Sequence, residues 1–328
     1  MKLTFNDIKN ATRGAVKIEE RDGFYHFDRY REEEKAAYEG TRQRSYIRTV
    51  ATSSVVLDFY TDSEAITFDY EIDRLNMVMA NYMFFDVWED DIMVYHVGEY
   101  STEPKSATAT LKLSKGEKRV RIYLPNIFKM TITAPVLDEG ATFRPAEKKR
   151  RALILGDSIT QGFDANFPSM SYPNILSRDF ELDLINQSIG GEVFLPDSLG
   201  TSPVFDADII TVAYGTNDWL GGAPSFDTAT EYFKRLCALY PRARKFYISP
   251  IWLKDIDKTP GGTSFYDAVD NFEKRARDEG FTVIRGLDIM HHTEAMFSDG
   301  EHPNDLGFTQ YAKLLGGALR KCGFPLDE

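Results

Sequence analysis

Up to about residue 145 the chain alternates apolar and polar positions with a period of two. The stretch Ala65–Asp73 reads A-I-T-F-D-Y-E-I-D. It puts Ile66, Phe68, Tyr70 and Ile72 on one face and Thr67, Asp69 and Glu71 on the other, the signature of a half-buried antiparallel strand. Residues 82–88 and 92–97 have strand character and flank the acidic turn Glu89-Asp90-Asp91. Residues 111–113 and 120–124 flank Ser114-Lys115-Gly116-Glu117, which reads as a hairpin. Many short strands with no convincing amphipathic helix predict an N-terminal β-sandwich domain, jelly-roll-like, over residues 1–145.

Beyond a linker at 138–150 the rhythm becomes strand, loop, helix. Apolar strands are expected at 152–155, 182–185, 209–213, 246–251 and 281–284. Helical spacing appears in Ala229, Phe233, Leu236 and Tyr240, then in Phe265, Val269, Phe272 and Ala276, and a last helix is expected over 307–319. Apolar strands alternating with helices predict a parallel α/β sheet covered on both faces, over residues 146–328.

Composition narrows the classes of partner. A net charge of −12 disfavours nucleic acid, whose binding depends on clustered cations. The basic run Lys148-Lys149-Arg150-Arg151 is short and reads as a solvated linker. No apolar run approaches the roughly 20 residues of a membrane span, and the N-terminus lacks the apolar core of a secretory signal. A cytoplasmic location is therefore expected. The two cysteines, Cys237 and Cys322, are too few for a disulfide framework and are expected as free buried thiols.

Four short blocks carry the candidate chemistry. Leu153-Ile-Leu-Gly156-Asp157-Ser158-Ile159-Thr160 ends a buried strand and places Ser158 where a helix should begin. Ligands of open α/β sheets bind beyond the carboxyl ends of the strands, and a helix start offers positive backbone N–H groups. A helix cap explains Ser and Asp there equally well. Asn186-Gln-Ser-Ile-Gly190-Gly191-Glu192 follows the second strand, and its glycines admit close backbone approach to a ligand. Tyr214-Gly215-Thr216-Asn217-Asp218 ends the third strand with an amide available as donor, although the composition also suits a plain turn. Asp299-Gly300-Glu301-His302-Pro303-Asn304 sets a carboxylate and an imidazole three residues apart, close enough for the Asp to orient the ring.

In this order the blocks resemble the SGNH (GDSL-like) hydrolase family, over roughly residues 150–320. The resemblance implies a three-layer α/β/α sheet. It also implies Ser158 as nucleophile, His302 as base and Asp299 as its orienting partner. Ser158, Gly191 and Asn217 would form the oxyanion hole, with Gly190 an alternative to Gly191. Neither a metal nor an organic cofactor is implied. His291, His292 and Glu294 lie near this last block and imitate a metal cluster, but a helix-end or surface pair is the expectation. Asp157, Trp219 and Trp252 are candidates for the substrate pocket, core packing being the alternative for both tryptophans.

A β-sandwich ahead of such a domain is similar to the arrangement of carbohydrate esterases, including family 2. It implies O-acetyl esters of a sugar or oligosaccharide as substrate. A lipid or acyl-thioester hydrolase of the same family is the alternative, and a catalytically retired binding protein is disfavoured by the intact blocks.

Overall fold

A computed structural model describes residues 1–40, 42–75, 80–147 and 149–324. Lys148 of the basic run lies outside them. The N-terminal part is built from two six-stranded antiparallel sheets. One is centred on Val56–Thr61, Lys118–Tyr123 and Tyr82–Glu89, the other on Ala65–Asp73, Lys129–Thr133 and Phe24–Asp28. A single apolar cluster joins them: Leu57, Phe59, Val87, Val120 and Ile122 from the first meet Ile66, Phe68, Ile72, Met130 and Ile132 from the second. The alternation in Ala65–Asp73 decides which side faces this core. Ile66, Phe68, Tyr70 and Ile72 are buried, while Asp69, Glu71 and Asp73 are exposed.

Two expectations for this part need correction. The strands either side of Ser114–Glu117 do not form a hairpin. Lys105–Lys112 pairs with Ala65–Asp73, whereas Lys118–Tyr123 pairs with Val56–Thr61 and Tyr82–Glu89 in the other sheet. The turn is a corner, closed over the buried Lys118, whose ammonium donates to the carbonyls of Ser63, Ser114 and Gly116. Local alternation cannot reveal which sheet a strand joins. Short helices also occur at Phe5–Ala11, Glu32–Ala36 and Gln43–Arg48. At two turns or fewer they are too short to display a 3.6-residue period, and tertiary contacts hold them.

The C-terminal part holds a five-stranded parallel sheet in the order Leu182–Ser188, Arg150–Gly156, Ile209–Ala213, Arg244–Ile248, Thr282–Ile284. Phe226–Leu239 and Phe265–Asp278 bury Phe233, Leu236, Val269 and Phe272 against Leu153, Leu155 and Val212. Tyr172–Asp179 and Asp305–Lys321 bury Leu176, Phe308 and Leu315 against Ile154, Phe246 and Ile248. The sheet is thus covered on both faces, which is why its strands read as continuous apolar runs. The helix Tyr172–Asp179 was not legible, because Pro173, Asn174, Ser177 and Arg178 break up its apolar face.

The two parts are tied by Arg29, fully buried, which donates to the carbonyls of Ala51, Asn186 and Ser188. Cys237 and Cys322 are free and half-buried. Among the described residues no helix is long and apolar enough to cross a membrane.

Candidate active site

The strand Arg150–Gly156, second in the sheet order, ends in a turn that only glycine fits, since a Cβ at Gly156 would collide with the Thr160 side chain. Asp157 then caps the four-residue helix Ser158–Gln161, its carboxylate accepting the Ile159 N–H at 3.1 Å. Ser158 is 6% exposed at the mouth of the crevice. From the far end of the chain, the loop before Asp305–Lys321 is held by antiparallel pairing of Phe297 with Pro303 and by the Ser298 N–H on the His302 carbonyl at 2.9 Å. That loop swings His302 over Ser158.

One hydrogen-bonded chain results. His302 Nε2 lies 2.8 Å from Ser158 Oγ, and His302 Nδ1 lies 2.8 Å from Asp299 Oδ2. The other Asp299 oxygen accepts the backbone N–H groups of Glu301 and His302 at 2.9 and 2.8 Å. Burial works against the Asp299 carboxylate, but the His302 ring and these backbone donors outweigh it and hold it well below the usual carboxylate range. Burial likewise opposes the His302 cation. The Asp299 hydrogen bond and charge, with Glu301 and Asp164, outweigh it and raise the imidazole above its ordinary value. With Asp299 ionised, Nδ1 carries the ring proton and Nε2 is free to accept one from serine.

The diglycine lies beside the nucleophile: a Cβ at Gly190 would stand 3.4 Å from Ser158 Cβ. The Gly190 N–H is committed to Gln161 Oε1 at 2.7 Å. Gly191 is exposed, has φ +80°, and its N–H has no partner among the described residues. Asn217 is the second residue of the helix Thr216–Leu220, just after the third strand. Its amide is anchored on the Glu192 carbonyl at 3.1 Å and reaches Asp157 Oδ2 at 3.4 Å.

The three candidates for the substrate pocket take different places. Trp219 is fully buried; its indole N–H donates to the Thr263 carbonyl at 3.0 Å and its ring meets Phe265 edge-on. It is core, because the turn after the third strand directs it inward against Phe265–Asp278. Asp157 is buried and caps the helix that Ser158 opens; burial pushes its carboxyl up to about 7. Trp252 is half-buried against His292 and Phe297, bracing the loop that carries His302. His292 Nε2 is engaged with the Leu287 carbonyl at 2.9 Å. Among the described residues, the group close enough to share a metal ion is Asp164, Asp299 and His302, which the His291–His292 pair does not join.

Residues the sequence did not reveal come chiefly from the β part. Tyr82 receives the Asp164 N–H at 2.6 Å, and its hydroxyl lies 3.3 Å from Asp164 Oδ1, beside His302. Phe163 packs its ring 4.7 Å from the His302 ring and also against the β-sandwich core.

Residues 154–309 match the GDSL-like lipase/acylhydrolase family. The α/β part is a GDSL-like acylhydrolase domain. That makes the chain an ester hydrolase. Among solved structures, this chain is similar to a salicylyl-acyltransferase from a tetracycline biosynthetic pathway, with a TM-score of 0.81 and 21% identity over 96% of this chain and 95% of that one. It is also similar to a family two carbohydrate esterase from Cellvibrio japonicus, with a TM-score of 0.65 and 17% identity over 96% of each chain. An acetyl xylan esterase from Butyrivibrio proteoclasticus gives 0.59 and 16%, over 82% of this chain and 89% of that one. At these identities the likeness is one of fold, and it extends through the β part. No curated protein matches this chain.

Proposed function

We propose that the protein is a serine esterase that removes short acyl groups, chiefly O-acetyl, from carbohydrates through an acyl-enzyme, with a β domain over 1–145 and a catalytic domain over 146–328. The observation that carries this reading is the unbroken hydrogen-bond chain from Asp299 through His302 to Ser158, just beyond the carboxyl end of the strand Arg150–Gly156. His302 takes the Ser158 proton as Oγ attacks the ester carbonyl, and Asp299 keeps the imidazole in the accepting tautomer. The tetrahedral oxyanion is met by the N–H groups of Ser158 and Gly191 and by the Asn217 amide. His302 then protonates the leaving alcohol, activates water, and the acid is released.

Asn217 is anchored on the Glu192 carbonyl through one amide hydrogen, leaving the second to swing from Asp157 toward the oxyanion. Asn217→Ala is expected to lower kcat by about 10²–10³ with KM little changed, because the donor acts on charge that exists only in the transition state. Steady-state kinetics on p-nitrophenyl acetate check this. An effect on KM alone would make Asn217 a ground-state binding residue.

The sugar preference is supported by the β part beside the site and by the fold shared with carbohydrate esterases. It is tested with p-nitrophenyl esters from acetate to octanoate beside acetylated xylo- and manno-oligosaccharides. Rates are expected to fall sharply beyond propionate, with acetate released from an oligosaccharide. A lipase groove instead gains about 0.8 kcal/mol per buried methylene, so rates rising toward octanoate would favour the lipid or thioester alternative. The likeness to the salicylyl-acyltransferase favours a second reading of the last step, in which an alcohol acceptor in place of water receives the acyl group. Acylated acceptor formed at the expense of free acid, with added sugar alcohol, would distinguish it.

A further inference from the structure

The diglycine that borders Ser158 is gripped from the β part of the chain. Arg48, the last residue of the helix Gln43–Arg48, donates from Nη1 to the Gly190 carbonyl. This oxygen belongs to the same peptide group as the Gly191 N–H. The preceding peptide is fixed independently, through the Gly190 N–H on Gln161 Oε1 at 2.7 Å. The helix bearing Arg48 is itself pinned. Its terminal carbonyl, that of Arg48, accepts from Arg29 Nη2 at 3.3 Å, and Arg29 also holds the carbonyls of Asn186 and Ser188 in the strand that leads to the diglycine.

A peptide between two glycines has no Cβ on either side to oppose rotation of its plane. Turning the Gly190–Gly191 peptide over would exchange an N–H donor for a carbonyl oxygen where negative charge develops. A cation on that carbonyl opposes the turn, since a charge-assisted hydrogen bond would have to break. It also polarises the peptide, making the N–H a stronger donor. Without Arg48 the sequence around Gly191, at φ +80° and exposed, holds nothing else on this carbonyl among the described residues.

We propose that Arg48 is a positioning residue for the oxyanion site, holding the Gly190–Gly191 peptide so that its N–H serves the tetrahedral intermediate. The proposal rests on the esterase reading above. It adds a dependence of the chemical step on a residue 142 positions away in the chain, carried by the β part.

The test uses the full chain with Arg48→Met, which keeps the aliphatic stem, and Arg48→Lys, which keeps the charge without the guanidinium fork. For Arg48→Met, kcat toward p-nitrophenyl acetate is expected to fall about tenfold, part of the 10²–10³ that an oxyanion donor is worth. KM should stay within about twofold. The inhibition constant of benzeneboronic acid, whose serine adduct is tetrahedral, should rise by about the same factor as kcat falls. Arg48→Lys should fall between Arg48→Met and the parent, and carries the test alone if Arg48→Met does not fold. An unchanged kcat, a rise in KM alone, or a lower kcat with unchanged boronate inhibition would overturn the assignment. Labelling of Ser158 by a fluorophosphonate separates the two levels. Labelled parent protein with undisturbed Arg48 variants ends only the role of Arg48, whereas absence of labelling at Ser158 ends the esterase reading itself.

Discussion

Ser158→Ala is expected to lower kcat toward p-nitrophenyl acetate by on the order of 10⁶ while the protein melts close to the parent temperature, the scale of loss seen when the nucleophile of a comparable triad is removed. The two halves of this expectation have separate causes. Among the described residues, Ser158 Oγ makes its hydrogen bond to His302 Nε2. Alanine is compatible with the first position of the helix Ser158–Gln161, whose cap comes from the Asp157 side chain. Nothing in the apolar clusters of the sheet depends on the hydroxyl. Removing it therefore costs little stability but deletes the atom that would form the acyl bond. Initial rates, a thermal melt and mass spectrometry of the protein mixed with substrate check this. The parent should gain the mass of an acyl group under rapid quench, and the variant should not. A folded variant turning over near the parent rate would sink the serine mechanism and the proposed roles of His302 and Asp299 with it.

What the sequence disclosed follows the range of the interactions concerned. The parallel strands were legible because burial on both faces leaves uninterrupted apolar runs such as Leu153–Ile154–Leu155. The residues of the hydrogen-bond chain were legible through the resemblance of the four blocks, taken in order, to the SGNH hydrolases; singly, the Ser158 block suits a helix cap and the Asp299–His302 block a turn. Failures came where a residue's role is set across the chain. Trp219 and Trp252 both follow strand ends, yet one enters the core and the other braces a loop, and period alone does not separate these outcomes. Lys118 sits in an ordinary polar turn until both sheets are assembled around its ammonium. Tyr82 and Arg48 carry no signature at all. They belong to a strand and a short helix of the β part, and their importance arises from docking against Asp164 and Gly190.

Asp299→Asn is expected to cost up to about 10⁴ in kcat, a fall of the size that the same change produces in other triads. The carboxylate has two duties here. One oxygen accepts two backbone N–H groups, which an amide oxygen can still do; the other accepts His302 Nδ1–H. With the amide oxygen on the backbone, the NH₂ group faces Nδ1. The ring is then driven to carry its proton on Nε2, where it can no longer accept one from Ser158. The variant should therefore keep its fold and lose the base. The pH profile gives an independent check of sign. Catalysis needs neutral His302, so activity is present above the imidazole pKa and is lost as pH falls through it. In the parent the Asp299 charge helps to raise that pKa above its ordinary value, against burial. The acid limb of kcat/KM should thus lie above about 6.5 in the parent. In the variant it should move to lower pH, because burial then acts against a weaker opposing field from Glu301 and Asp164. Residual rates measured from about pH 5 to 9 would resolve the two limbs. A variant with nearly full kcat and an unmoved limb would mean that His302 is oriented without Asp299, and the catalytic unit would reduce to Ser158 and His302.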